Sequence, residues 1–539
     1  MLYLFIFIFI LVLMVSFLFK FKNNRYRANN VIVVASMLCA FLFFYKPLAL
    51  LLLSFTLFFI IIEIYVVLKY KDFNEGIFEA ILNTNKDEFL EVLSKNLILL
   101  IPVIVIIFLA EFWIYSQIQI NLKFSIILII PFLITYISSQ IRLMRVDRKL
   151  KKYAKNSSAF NVLNSLDKLD KNVISSLRAK YPIFFGNLFY LVNYRGSSDV
   201  CFNEVRVLPE FLCDKEDIKV KNIILVIGES ALPDRFSVYG YSNFSTTPKI
   251  MQWENTVILR GVHSLSNMTR TALPFLISYP DVNDFSKAYT CQNIFDIAKN
   301  KKVNTTWIGN QAIDSLFTSS YGPIAKCANF VLSRDYTSTG IVFNPKDDFD
   351  LLAAIECEFD KNTINGTDMK NLFAIHTVGS HAPYKIRSDD VDREALKGAD
   401  DYDLSIHHTD RFLDKLKKMA DEKLEDYILI YTSDHGEVVE DEGGGLEHGL
   451  TYGGYKQYEV PFIILNESNL QFDLNKYKKS SGLYTNDMCS LLIAECLGYK
   501  LEEQFIEQYR SNDNILHSDY MVYRYVDLPQ PMNRHKNAV

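Results

Sequence analysis

The chain has 539 residues, half of them hydrophobic, which is too long for one core, so at least two domains are expected. A formal net charge of −5 gives no basis for a nucleic-acid partner. The eight cysteines (39, 201, 213, 291, 327, 357, 489 and 496) contain no C-x-x-C zinc spacing, and a local loop between Cys201 and Cys213 is the pairing their positions suggest.

Apolar runs concentrate in the first 142 residues. Five segments, 2–19, 31–45, 48–68, 96–116 and 124–142, approach the roughly 20 apolar residues that a membrane-crossing helix needs. The first has neither a basic leading region nor a small-residue cleavage site, so it reads as a span and not as a signal peptide. Lys46-Pro47 between the second and third suits a tight helical hairpin. The loop at 69–95 carries an amphipathic stretch, Ile77 to Leu82, and is expected to lie along the membrane surface. Lys20, Lys22, Arg25 and Arg27 follow the first segment, and Arg142, Arg145, Arg148, Lys149, Lys151 and Lys152 follow the fifth. By the positive-inside rule both runs, and the large C-terminal region, would be cytoplasmic. Basic residues beside a span also bind anionic head groups from either side. Residues 1–145 are thus read as a five-helix transmembrane domain. Residues 146–216 read as a polar linker helix and then a membrane-surface segment around 182–192.

From 217 to 539 short apolar runs alternate with amphipathic stretches, the pattern of an α/β domain with a mainly parallel central sheet. Candidate strands are 222–227, 257–260, 303–308, 372–376, 427–432 and 461–465, and 403–419 has helical spacing. Three of these strands stop at metal-ligand side chains: Gly228-Glu229-Ser230, the segment His376 to His381, and Asp434-His435-Gly436. In such sheets, chemistry collects beyond the carboxyl ends of the strands. Aspartate, glutamate and histidine together suit zinc, Gly436 allows the backbone to turn, and Glu229, His381 and His448 stand in matching contexts. The segment Leu265 to Pro274 supplies hydroxyls before what reads as a Pro-initiated apolar helix, where the helix dipole favours anions. A hydroxyl there, coordinated to zinc, becomes a nucleophile; the ordinary alternative, and the one open to Thr271, is a helix cap.

Together these motifs resemble the membrane-bound phosphoethanolamine transferases of Gram-negative envelopes, within the alkaline phosphatase and sulfatase superfamily. The resemblance rests on Gly228-Glu229-Ser230, Tyr239-Gly240-Tyr241, Thr247-Pro248, the Thr269 to Pro274 spacing, and His376-Thr-Val-Gly-Ser-His381-Ala-Pro383. It extends to Thr409-Asp410, Ser433 to Glu437, His448-Gly449 and Gln457-x-x-Val460-Pro461. It implies that Thr269 is the nucleophile and that Glu229, Thr269, Asp434 and His435 hold a catalytic Zn2+. His381 and His448 match residues that contact the substrate phosphate or a second zinc. Asn310 in Trp307-Ile-Gly-Asn310-Gln311 matches a subgroup signature that would face substrate, and Thr84 and Glu88 match polar residues serving the lipid substrate. Ala80 departs from an asparagine common in relatives, and no cysteine lies between Cys213 and Cys291 to bracket the nucleophile, so packing alone is expected to hold its loop.

The function implied is transfer of phosphoethanolamine from phosphatidylethanolamine to lipid A or another envelope acceptor, with release of diacylglycerol. The implied location is the bacterial inner membrane with a periplasmic catalytic domain, which runs against the basic loops. The alternative is a phosphoglycerol transferase of the lipoteichoic acid synthase or glucan-modifying type. A sulfatase proper would need a C/S-x-P-x-R setting, which the sequence does not contain.

Overall fold

The computed structural model describes residues 206–528, apart from 215, 315–317, 319, 341, 365–368, 440–447, 450–453, 469 and 518–521, and six positions between 116 and 141. Those six (Ser116, Ile130, Leu133, Ile134, Ile137 and Ile141) are helical. The rest of the five expected spans, the loop bearing Thr84 and Glu88, and most of the linker lie outside the described residues. Among the described residues no helix is long and apolar enough to cross a membrane.

Seven strands build the main sheet: β1 (Asn222–Gly228), β2 (Thr256–Leu259), β3 (Asn304–Gly309), β4 (Phe330–Leu332), β5 (Asn371–His376), β6 (Tyr427–Ser433) and β7 (Phe462–Glu467). Their order is β2-β7-β6-β1-β5-β3-β4. Only β7 runs against the others, so the sheet is mainly parallel, as the sequence implies, with one reversed strand that makes it mixed. Every residue of β1, β5 and β6 is buried. That is why their sequences read as unbroken apolar runs and not as an apolar–polar alternation.

Alternate side chains of these strands feed two cores. Ile223, Leu225, Ile227, Leu372, Ala374, Ile428 and Ile430 meet helices α1 (Thr269–Ile277), α2 (Ile294–Asn300) and α5 (Met488–Cys496). Ile224, Val226, Phe373, Ile375, Leu429 and Tyr431 meet α3 (Leu352–Ile364) and α4 (Asp401–Lys423). The sheet is therefore sandwiched between helical layers. Its register sets the functional edge level: Ile227 pairs with both His376 and Thr432, and Gly228 pairs with Ser433.

Three details depart from the sequence reading. The short strand β4 carries too few residues to show a pattern. Pro274 does not begin α1, which starts five residues earlier at Thr269 and carries the proline inside. A proline has no N–H for the carbonyl four residues back, and here the Ser320 hydroxyl donates to that Arg270 carbonyl instead. Finally, Cys213, 291, 327, 357, 489 and 496 are free thiols, against the expected loop between Cys213 and Cys201, the latter outside the described residues.

Candidate active site

Glu229 is the first residue beyond β1, and Asp434 and His435 are the first two beyond β6. All three are fully buried. Their ligand atoms lie within 4.8 Å of one another. His435 Nε2 is 3.4 Å from Glu229 Oε1 and 3.3 Å from Asp434 Oδ2. The turn after β1 is sharp: Ser230 has φ 54°, a left-handed conformation costly for a residue with a Cβ. That turn lets the Ser230 N–H donate to Asp434 Oδ1 at 3.2 Å, while the His435 N–H donates to the same oxygen at 2.8 Å. The other oxygen, Asp434 Oδ2, is buried with no hydrogen-bond partner.

Thr269 completes the cluster from the first position of α1. Its hydroxyl lies 3.2 Å from each Glu229 carboxylate oxygen and 3.2 Å from His435 Nε2. The helix has no side-chain N-cap, since Met268 occupies that position. Thr271 plays the structural part. It is buried, its Oγ1 is 2.5 Å from Ser266 Oγ, and it donates to the Met268 carbonyl at 3.1 Å.

The charges explain what such a cluster can hold. Burial and the neighbouring Glu229 charge push the Asp434 carboxyl up to about 7. Burial works against the His435 cation, but Asp434 and Glu229 outweigh it and raise its pKa to about 10. Burial likewise opposes ionisation of Glu229, yet the bond and charge of His435 hold it well below the usual carboxylate range. Two carboxylates thus share one imidazolium, and one carboxylate oxygen has no donor. A divalent cation fits this arrangement, because it supplies the missing positive charge and gives Asp434 Oδ2 a partner. The nitrogen and oxygen donor set suits zinc.

Around this buried centre the exposed rim carries histidines. The His448 ring lies tilted by 36° against that of His435 with centroids 4.1 Å apart, and His448 Nδ1 is 3.2 Å from Glu437 Oε2. His381 lies further out, with its ring 6.3 Å from that of His448. Both are only partly buried, unlike the three ligand-bearing residues. The loop before His381 is pressed onto the site by Gly379. With φ +46°, a Cβ there would come within 2.9 Å of the Glu229 nitrogen. The buried Asp348 carboxylate fixes this loop by accepting from the Val378 and Gly379 N–H groups at 2.8 and 2.9 Å.

Asn310 does not face the site. It is fully buried, donating to Asp348 at 2.8 Å and accepting from Arg334 at 2.9 Å, so it is a strut behind the Gly379 loop. The next residue, Gln311, is the one the sequence reading missed. Its Nε2 donates to Glu229 Oε2 at 2.8 Å and to the Thr377 carbonyl at 3.1 Å. The strand-end position was legible, but not which of the two amides points inward.

Comparison with known proteins places this arrangement. The Sulfatase family model matches residues 221–497. The Escherichia coli K12 protein YhbX is 23% identical over 401 residues, 72% of this chain and 68% of its own length. Phosphoethanolamine transferase EptA of Helicobacter pylori is 26% identical over 269 residues, 45% of this chain and 47% of its own. The match thus spans about half the length of that relative. Among solved structures, the integral membrane lipooligosaccharide phosphoethanolamine transferase A of Neisseria meningitidis aligns over 92% of this chain and 96% of its own. It does so with a TM-score of 0.56 and 19% identity, a likeness of fold.

Proposed function

The chain belongs to the sulfatase family, and on that premise we propose that it is a membrane-bound phosphoethanolamine transferase working through Thr269. The observation that carries the reading is the convergence of the Thr269 hydroxyl on Glu229 and His435 at 3.2 Å, at the open start of a helix. The names of curated relatives point the same way.

In this mechanism Glu229, Thr269, Asp434 and His435 would hold Zn2+, which when bound acidifies a coordinated hydroxyl and offsets phosphoryl charge. The Thr269 hydroxyl already donates toward Glu229, so its proton has an acceptor as Oγ1 attacks the phosphorus of phosphatidylethanolamine. A Thr269 Oγ–P bond forms and the bond to the glycerol oxygen breaks. His381 or His448 protonates that oxygen, and diacylglycerol leaves. The positive end of the α1 dipole favours the phosphoryl oxygens. An acceptor hydroxyl then attacks the phosphorus of the phosphoethanolamine-threonine intermediate and gives its proton to the same histidine, the Thr269 Oγ–P bond breaks, and Thr269 recovers its proton from Glu229. Lipid A is the acceptor proposed, on the periplasmic side of the inner membrane. Residues 1–145 would be the membrane anchor, 146–216 the linker and 217–539 the catalytic domain. Thr84 and Glu88 are proposed to serve the lipid donor from the 69–95 loop.

Mass spectrometry of the trapped Thr269 peptide tests this reading. A phosphoethanolamine mass on Thr269 supports it. A phosphoglycerol mass would favour the lipoteichoic acid synthase type, and an adduct on Thr271 would reject the nucleophile.

A further inference from the structure

We infer that Asn267, Gln457 and His517 form a buried lock that sets Thr269 against His435, with His517 a positioning residue supplied by the C-terminal hairpin. The inference starts from a problem of distance. Thr269 and His435 sit on segments 166 residues apart, yet their side chains meet at 3.2 Å. The loop that carries Thr269, residues 264–268, has no disulfide among the described residues to hold it.

Gln457 touches both segments. Its carbonyl accepts from the Gly436 N–H at 3.0 Å, directly after His435. Its side-chain Oε1 accepts from Asn267 Nδ2 at 3.1 Å, two residues before Thr269. The orientation of both amides follows from the chemistry. Gln457 Nε2 donates to the Gly454 carbonyl at 3.3 Å, so Oε1 faces Asn267, which must present its NH2. The same loop is tied to the His448 segment, since the Asn267 carbonyl accepts from the Gly449 N–H at 2.9 Å.

His517 closes the lock from the other end of the chain. Its Nδ1 lies 3.3 Å from Asn267 Nδ2 and 2.5 Å from the Tyr458 hydroxyl. Two donors on one nitrogen require a lone pair there, so His517 is neutral with its proton on Nε2. The preceding Leu516 N–H donates to the Leu265 carbonyl at 2.8 Å, adding a parallel bridge beside the nucleophile loop. Leu265 and Leu516 pack with Phe275 of α1 in one small core. The hairpin, Asn514–Leu516 with Val522–Arg524, is itself anchored by Tyr525 stacked on His263, rings 3.7 Å apart. Asn267, Gln457, Tyr458 and His517 are all buried, so water cannot readily replace these bonds.

The lock rests on Thr269 being the nucleophile, and two readouts keep it separable from the choice of substrate. In the full-length protein, His517→Ala and the isosteric Asn267→Asp should each lower kcat for diacylglycerol release from phosphatidylethanolamine by about tenfold to a hundredfold, as misplaced reacting groups do. KM and metal content should stay at the wild-type values. His517→Gln, whose side-chain carbonyl can still accept from Asn267, should restore most of the rate. The structure of the Asn267→Asp protein should show Thr269 withdrawn from His435. Unchanged kcat in both variants, or a Thr269–His435 contact that stays in place, overturns the lock. If the wild-type protein releases no diacylglycerol, the substrate reading fails, and the Thr269–His435 contact in the variant decides the lock alone.

Discussion

Among the described residues, two buried clusters join aspartate and histidine, and they differ in one respect that separates a candidate reactive site from a structural one. At the strand ends, Glu229, Asp434 and His435 aim their ligand atoms at a shared point, and Asp434 Oδ2 has no donor. Beside α4, Asp392 is just as buried, but both its oxygens are occupied: His407 and His408 each lie 2.7 Å away through Nδ1, and Arg411 donates at 2.9 Å. His408 Nε2 then reaches Asp347 at 2.9 Å. The second cluster satisfies itself with its own cations. The first is short of positive charge, and this deficit, not the mere presence of acids and histidines, marks it as a place for a metal. Acidic groups close enough to hold an ion occur in both.

The largest effect should come from removing the proposed nucleophile. Thr269→Ala should take diacylglycerol release and adduct formation to background, measured on full-length protein in lipid. Thr271→Ala, which loses only buried hydroxyl contacts to Ser266 and Met268, should keep the adduct while losing some thermal stability. Equal activity in the two variants would erase the distinction drawn between them.

On the structural side, Asp392→Ala strands His407, His408 and Arg411 in a buried setting. Removing one partner of such a network costs about 3–5 kcal/mol, read as a fall in unfolding midpoint with metal content retained. The same cluster carries a pH signature. Burial works against the His408 charge, but hydrogen bonds to Asp347 and Asp392 outweigh it and raise the pKa to about 9. A raised histidine pKa contributes stability that is complete below about pH 6.5 and lost as pH climbs through 9. Unfolding midpoints followed from pH 6 to 10 should show that loss, and Asp347→Asn should reduce it.

Smaller effects lie between the clusters. Gly379→Ala places a Cβ against the Glu229 backbone in a left-handed conformation, at roughly 1–2 kcal/mol for the backbone alone. It should lower activity as well as stability, because the displaced neighbour is Glu229, a proposed metal ligand. Ser320→Ala leaves the Arg270 carbonyl without the donor that offsets Pro274, at about 1 kcal/mol in a melting curve.

Much of the reactive cluster was legible because it is local. Glu229 and Asp434-His435 each follow a buried apolar strand, so their positions come from where a hydrophobic run stops. Thr269 and the roles of His381 and His448 came from resemblance, and their proximity is a matter of tertiary structure. What stayed hidden depends on long-range pairing. Asn267 meets His517 across 250 residues, and Asp392 gathers partners from three segments. The subgroup signature points to Asn310, whereas strand-end geometry, not residue type, turns the Gln311 amide inward. The expectation that packing alone holds the nucleophile loop gives way to hydrogen bonds from Gln457 and the C-terminal hairpin. The reversed strand β7 resembles its parallel neighbours in composition, since both are buried and apolar.

Metal analysis tests the central claim most directly. Zinc content of the purified full-length protein is compared with that of Asp434→Asn and of Asp389→Asn, the latter removing a carboxylate of the second cluster that accepts from Arg411 at 2.7 Å beside Asp392. The charge-deficit account predicts zinc in the wild-type and Asp389→Asn proteins and its loss from Asp434→Asn. Zinc retained in full by Asp434→Asn, or lost from Asp389→Asn alone, would contradict it.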